Sequence, residues 1–188
     1  MINLSTKTGD QGQTGLANGQ RLSKAEPRME VIGSLDELNS WLGVVIAHWP
    51  EGLEPQLKQE QQFLLEIQDK LFEIGAEVAQ APKVAIKADF LEQIEARSTN
   101  LQKQMEPGWH QQFLLPGGSK PAAWLDLARS VCRRAERNLV KLQHQAEANE
   151  KQVRPLLLKI INRLSDYLYV LRCYVNLELG QSEKKFNS

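Results

Sequence analysis

Residues 156–179 have the sequence LLLKIINRLSDYLYVLRCYVNLEL, a run that contains neither glycine nor proline. Its apolar residues recur at intervals of three and four, at Leu157, Ile161, Leu164, Leu168, Leu171 and Val175. This spacing places them in one stripe along a helix. A strand interpretation would need turn signals about every 8–12 residues, and the run has none. It therefore predicts a long helix with one buried face.

Four further segments show the same helical spacing. They are residues 35–45, 57–78, 87–106 and 125–142, and the apolar stripe is weakest in 87–106. Ser34-Leu35-Asp36-Glu37 has the form of a capping box, which predicts that the first helix begins there. Together with 156–179, the segments predict an all-α fold, a bundle of five helices.

The chain has 188 residues, which is the size of a single domain. Glycines are concentrated before the first predicted helix, so residues 1–33 are expected to form a glycine- and threonine-rich N-terminal arm. The bundle would occupy 34–180, with Gly180 as the stop signal. The polar residues 181–188 are expected to be a frayed tail.

The charge balance and residue composition of the chain argue against several classes of function. Lys+Arg and Asp+Glu both number 23, so no net charge favours nucleic acid or an anionic membrane. No apolar run approaches the ~20 residues that a membrane span needs, and the first residues do not resemble a signal peptide. Two cysteines and three scattered histidines show no disulfide or zinc spacing. A cytoplasmic protein without a protein-bound metal is expected.

The arm carries a candidate anion site. Residues 6–15 have the sequence TKTGDQGQTG, and Lys24 follows. Glycines let backbone amides converge on an anion, threonine hydroxyls add donors and lysines add charge, a combination that suits a polyphosphate. The spacing is neither a Walker A loop nor a dinucleotide fingerprint. The alternative is a flexible arm that binds nothing.

A second candidate is the cationic run RSVCRRAER at 129–137. Arg129, Arg133 and Arg137 share one helix face beside the apolar stripe, where like charges repel each other. Glu136 could pair with Arg133 and offset part of that repulsion. The run is either a solvated charged face or a clamp on phosphates or on a partner subunit's carboxylate.

Two further segments each allow two interpretations. Asn162, Asp166, Tyr169 and Cys173 share a face next to the leucine stripe and form either an interhelical network or a nucleotide contact. The sequence FLLPGGS at 113–119 predicts a turn with Ser119 as helix N-cap. Its Phe113 is either packed on the bundle or offered to an apolar ligand.

Taken in order, five segments resemble ATP:corrinoid adenosyltransferases of the propanediol-utilisation type. They are TKTGD at 6–10, LDELN at 35–39, FLLPGG at 113–118, RSVCRRAER at 129–137 and NRLSD at 162–166. The match runs over nearly the whole chain, from about residue 3 to 177. It departs from the family at Ser5, where many relatives have an aromatic residue, and at Asp126, where many have histidine.

The resemblance implies a transferase that moves the 5′-deoxyadenosyl group of ATP to the Co(I) of cobalamin or a related corrinoid. The products are adenosylcobalamin and triphosphate. The reduced cobalt is itself the nucleophile, so the protein positions the reactants and Mg²⁺ accompanies the ATP phosphates. A reductant of cob(II)alamin is an implied partner, and an adenosylcobalamin-dependent enzyme is a candidate recipient of the product. The competing hypothesis is a non-catalytic trimeric sensor or carrier of ATP or corrinoid.

The resemblance also implies a homotrimer with active sites between subunits. One subunit would hold the ATP phosphates through Thr6, Lys7, Thr8, Gly9, Thr14 and Lys24, and its neighbour would add Arg133, Arg134, Glu136, Arg137 and Asn162. Asp36 and Arg129 match an intersubunit salt bridge. Phe113 matches the aromatic residue that lies under the corrin and displaces the lower axial ligand of cobalt. Lys7, Arg133 and Phe113 are the implied catalytic residues.

Overall fold

The last predicted helix is present as α5 (Pro155–Glu178). The computed structural model describes residues 7–50, 55–145 and 153–186. Within these ranges there are four other helices, α1 (Pro27–Ala47), α2 (Pro55–Val78), α3 (Asp89–Gln102) and α4 (Lys120–Gln145). A two-stranded antiparallel hairpin, β1 (Gln13–Gly15) and β2 (Arg21–Ser23), precedes them. The predicted five helices are therefore confirmed, with a small sheet added.

The line along which α4 packs against α5, called here the α4–α5 seam, lies at the centre of the bundle. Helix α1 packs on α4 and α2, and α3 packs on α5. Every residue of the apolar stripe in α5 is buried, as are Leu125, Ala128, Cys132, Ala135, Leu139 and Leu142 of α4. No helix in the described ranges is long and apolar enough to span a membrane.

The predicted capping box at Ser34 is wrong. Helix α1 begins at Pro27, after Glu26 in an extended conformation, and proline is well suited to the first position of a helix. Ser34 lies inside α1, where its hydroxyl donates to the Glu30 carbonyl and accepts a 3.1 Å bond from Asn138 Nδ2. Val31, one turn earlier, is completely buried. Tertiary burial of this first turn extends the helix beyond its local capping signal.

The arm is more ordered than a loop. Its hairpin attaches to the C-terminal end of α2, where Ala17 N donates to Ala79 O over 3.1 Å and Asn18 Nδ2 to Gln80 Oε1 over 2.9 Å. Leu16 is buried beneath this contact. The arm is therefore held in a defined position at the C-terminal end of α2.

The expectation of a frayed tail is also wrong for residues 181–186. Gly180 ends the helical region with a φ of 63°, as predicted. Beyond it the chain turns back and pairs with the segment that carries Phe113. Leu115 N donates to Lys184 O over 2.7 Å, and Phe186 N donates to Phe113 O over 2.8 Å. The tail is thus part of the folded structure around Phe113.

Candidate functional site

A cleft of about 430 Å³ lies between α4, α5 and the segment 110–114. It brings together three residues predicted from sequence, Phe113, Arg129 and Arg133. Phe113 is 85% exposed, which is unusual for a phenylalanine. Tyr169 and Asp166 also line the cleft. The cleft therefore combines an exposed aromatic ring with guanidinium groups, a mixture that suits a ligand with apolar and anionic parts.

The cationic run on α4 is divided between two kinds of environment. Arg133 and Arg137 are exposed on one face of the helix and form no ion pair with any described residue. Arg134 points to α1 and pairs with Glu37. Both partners in that pair are more than 40% exposed, so the pair adds little stability. Arg133 and Arg137 are the cations of this run that remain available to an external anion.

Glu136 and Asn162 bind each other across the α4–α5 seam. Asn162 Nδ2 donates to Glu136 Oε1 over 2.7 Å, and Asn162 Oδ1 accepts a bond of 2.9 Å from Arg163 Nη1. The suggested pairing of Glu136 with Arg133 is not the one observed. The interhelical network is present, and it holds two residues of the implied nucleotide site in a fixed relation.

Asp36 and Arg129 are not partners within one chain. Asp36 is exposed on α1. Arg129 Nε lies 3.7 Å from Asp126 Oδ1, and its guanidinium carbon lies 5.9 Å from the centroid of the Tyr169 ring. The implied salt bridge across a subunit boundary stays a prediction.

The arm gathers its own candidate residues around β1 and β2. A Cβ on Gly9 would come within 3.1 Å of Lys24 Nζ, so glycine leaves room there for the lysine side chain. Arg21 Nη2 donates to Thr8 O over 2.7 Å and so ties the loop to β2. Lys7 is exposed and has a positive φ of 57°. Thr14 lies in β1. Thr6 lies outside the described residues.

The two cationic groups lie on different elements of the chain. The arm attaches to the end of α2, whereas Arg133 and Arg137 flank the α4–α5 seam. Helix α4 packs mainly against α5 and α1. A single chain therefore presents two groups of exposed cations on different elements.

Both cysteines are buried. Burial raises the pKa of the Cys132 thiol, and the Glu136 carboxylate raises it further. Cys132 Sγ donates to Ile161 O over 3.3 Å. Burial likewise raises the pKa of Cys173, against the effect of its hydrogen bond with Arg172. Neither thiol is poised to act as a nucleophile.

Sequence reasoning missed the residues that hold the Phe113 segment. They are Arg172 and Asn176 on α5, Asp126 on α4 and Glu183 in the tail. Arg172 Nη2 donates to Leu115 O and Gly117 O, and Asn176 Oδ1 accepts from Ser119 N. The signal was available, because an arginine within the apolar run 167–175 must be paired if it is buried. Which carboxylates pair with it could not be deduced from that run.

Comparison with known proteins identifies the family. Residues 4–175 match the family model described as cobalamin adenosyltransferase. A cobalamin adenosyltransferase from Cupriavidus metallidurans is 40% identical over 96% of this chain and 91% of its own length. A corrinoid adenosyltransferase from Bacillus subtilis is 36% identical over 98% of this chain and 92% of its own length.

Solved structures agree in fold. One is a variant PduO-type ATP:corrinoid adenosyltransferase from Lactobacillus reuteri complexed with cobalamin and ATP. It has a TM-score of 0.87 at 30% identity and covers 99% of this chain and 100% of the other. A second variant of that enzyme, complexed with ATP, has a TM-score of 0.85 at 31% identity and covers 98% and 100%. The resemblance noted in the sequence is confirmed, and the chain belongs to the cobalamin adenosyltransferase family.

Proposed function

We propose that the chain transfers the 5′-deoxyadenosyl group of ATP to the cobalt of a corrinoid, in a homotrimer whose active sites lie between subunits. The observation that supports the intersubunit arrangement is that the two cationic groups lie on different elements, since the arm attaches to the end of α2 and the arginines lie on α4. Triphosphate needs several cations around it as negative charge develops. Neither group alone supplies all of them, whereas the arm of one subunit beside the α4 helix of another would.

The phosphate site is assigned residue by residue. One subunit would contribute Lys7 and Lys24 with the loop amides and hydroxyls around Gly9, and its neighbour would contribute Arg133 and Arg137. The exposure of these four cations and their lack of ion-pair partners among the described residues fit an anionic ligand. Mg²⁺ would be bound through the phosphate oxygens of ATP. Arg134, Glu136 and Asn162 would orient the nucleotide, supported by their contacts to α1 and across the seam.

Phe113 would lie under the corrin ring. Its side chain is almost fully exposed in the cleft, and an aromatic surface of that kind favours an apolar ligand face. With phenylalanine below the ring, no donor group of the protein takes the place of the lower axial ligand of cobalt. Loss of that donor disfavours the higher oxidation state and makes Co(II) easier to reduce.

The reaction needs no nucleophile or base from the protein. The electron pair of Co(I) forms the cobalt–carbon bond at C5′ of the ribose while the C5′–O bond breaks. Cobalt ends formally as Co(III), and triphosphate leaves with the electron pair of the broken bond. What the protein must supply is an in-line arrangement of cobalt, carbon and leaving oxygen, which can contribute roughly 7–11 kcal/mol.

An anaerobic assay with Mg-ATP and chemically reduced cob(I)alamin tests the activity. Turnover is followed by loss of the Co(I) spectrum and appearance of light-sensitive adenosylcobalamin. Enzyme-dependent product formation is expected. Tight binding of ATP and corrinoid without turnover would instead support a sensor or carrier.

Mixed trimers test whether each site lies between subunits. One chain carries Lys7→Ala with Lys24→Ala, the other carries Arg133→Ala, and ATP is kept well below the raised KM of the first so that neither is active alone. After co-expression in equal amounts, about a quarter of the junctions should pair an intact arm with an intact α4 helix, and activity should return to that level. A site built within one chain would regain nothing, because every chain carries one of the two lesions.

The remaining assignments follow from this activity. We infer a single adenosyltransferase domain, a cytoplasmic location, a separate reductant for cob(II)alamin and delivery of product to an adenosylcobalamin-dependent enzyme. Sedimentation of the full chain, compared with the mass of 21.3 kDa for one subunit, tests the trimer.

A further inference from the structure

The position of Phe113 depends on its backbone. With 85% of the residue exposed, its side chain gains little from packing on its own bundle. Leu114 is partly buried against the core, whereas Leu115 and Pro116 are exposed. Whatever fixes the backbone of residues 113–117 therefore determines where the Phe113 ring stands in the cleft.

Most of the hydrogen bonds that hold this backbone fall into two sets, and Asn176 Nδ2 and Asp126 Oδ2 add one bond each to Gly117. The first comes from the tail, through Phe186 N to Phe113 O at 2.8 Å and Lys184 O to Leu115 N at 2.7 Å. The second comes from Arg172, whose Nη2 donates to Leu115 O at 3.1 Å and Gly117 O at 3.2 Å. The segment is thus held between the tail on one side and α5 on the other.

Arg172 connects the tail with the Phe113 segment. It is 1% exposed, and its Nη1 donates to both carboxylate oxygens of Glu183 at 2.8 Å. Its Nε donates to Asp126 Oδ2 at 3.1 Å, and the same oxygen accepts the Gly117 amide at 3.0 Å. Burying a guanidinium requires carboxylates and acceptors on all its donors. Here those acceptors are the tail, α4 and the Phe113 segment itself.

We propose that Arg172 and Glu183 are positioning residues for adenosyl transfer, because the ion pair between the buried Arg172 and the partly buried Glu183 fastens the C-terminal tail to α5 and thereby fixes the backbone that carries Phe113. The inference rests on the proposed place of Phe113 under the corrin. Neither residue lines the cleft, so they act through Phe113 rather than on the substrate.

Glu183 offers the cleaner experiment. Arg172→Ala would leave Asp126 buried without its strongest partner, and such a change can prevent folding. Glu183→Gln leaves the Arg172–Asp126 pair in place and keeps one oxygen acceptor, but it turns an amide NH₂ toward the guanidinium. The bundle should stay folded while the tail loosens. Glu178→Gln, at the end of α5, is the matched control.

The rates are measured from two starting points, cob(II)alamin with a reductant and chemically prepared cob(I)alamin. Removal of the lower ligand matters only for the first. Glu183→Gln should slow the first reaction by about tenfold, as expected when a reacting group is misplaced by a fraction of an ångström. The second should change by less than about twofold, and Glu178→Gln should leave both unchanged. The electron paramagnetic resonance spectrum of bound Co(II) should show a smaller fraction lacking the lower ligand.

A double-mutant cycle with Phe113→Ala tests whether Glu183 acts through Phe113. If Glu183 acts through Phe113, Glu183→Gln should slow the Co(II) reaction no further once the ring is gone. Further loss in the Phe113→Ala background, or equal loss from Co(I) and Co(II), would overturn the positioning role. So would a normal rate for Glu183→Gln alone. If Phe113→Ala itself leaves the Co(II) reaction unchanged, the proposed role of Phe113 is wrong, and the inference is wrong with it.

Discussion

The N-terminal hairpin and the α4–α5 seam carry the two halves of the proposed phosphate site, and they are built in opposite ways. The hairpin has two strands of three residues and rests on the end of α2. The seam joins two helices of 26 and 24 residues whose facing sides are buried. Cations on the seam are held by a rigid frame, whereas those on the hairpin have only local support. Loss of a seam cation should therefore cost more catalysis than loss of an arm cation.

The largest effect is expected for Arg133→Ala. Arg133 is exposed and makes no ion pair among the described residues, so the fold should be retained. Removing a preorganised charge from the leaving group should lower kcat by about 100- to 1000-fold. Anaerobic kinetics with Mg-ATP and cob(I)alamin measure this, and Lys141→Ala, another exposed cation of α4, is the control. Unchanged kcat/KM would remove Arg133 from the site.

Asp36→Ala tests whether the seam is also an intersubunit surface. If Asp36 pairs with Arg129 of a neighbouring subunit, the substitution should weaken association by about ten- to a hundredfold, because a half-buried arginine loses a carboxylate. Sedimentation over a range of protein concentrations measures the shift. Ser40→Ala, one turn further along the exposed face of α1, serves for comparison. Normal sedimentation together with normal turnover would reject the intersubunit pair.

Lys24→Ala tests the arm. The hairpin keeps its contacts with α2, so the expected change is in ATP binding, with KM for ATP raised about tenfold and kcat altered less. Lys58→Ala, an exposed lysine at the start of α2, should have no effect. A fall in kcat as large as that of Arg133→Ala would mean that the arm is as rigidly placed in the transition state as the seam.

The smallest effect is expected for Glu37→Gln. Its pair with Arg134 is exposed on both sides, so the free energy of unfolding should fall by less than about 1 kcal/mol. For a domain of this size that is a decrease of at most about 2–4 °C in Tm. Thermal unfolding followed by circular dichroism gives the value. A larger decrease would show that this pair is shielded, as expected if a neighbouring subunit covers it.

Predictions from local pattern succeeded where the pattern concerned one element. The stripes of α2, α4 and α5 were found because a buried helix face must repeat every three or four residues. Ser119 was correctly placed as a cap, since its hydroxyl accepts the Ala122 amide. The capping box at Ser34 failed although its letters fit, because burial of Val31 keeps the preceding turn helical. An N-cap contributes only about 1 kcal/mol, so tertiary packing can override it.

Local sequence patterns could not predict contacts between segments that are distant in the sequence. The tail was expected to fray because residues 181–188 are polar, yet residues 184 and 186 pair with residues more than 60 positions earlier. Glu136 was matched with its sequence neighbour Arg133, but its partner is Asn162 on the next helix. The first error came from composition and the second from closeness in sequence, and neither signal describes contacts between distant segments.

The amino-acid sequence by itself determined the helices, the family and the identity of the candidate cations. Periodicity and the order of motifs can be recognised from the linear sequence without any contact between distant residues. Only the tertiary structure decided that Arg172 lies between the tail and the Phe113 segment, and that the arm attaches to the end of α2. Those facts depend on how helices are rotated and stacked. The rotation is set by the packing of the whole core, which no single segment encodes.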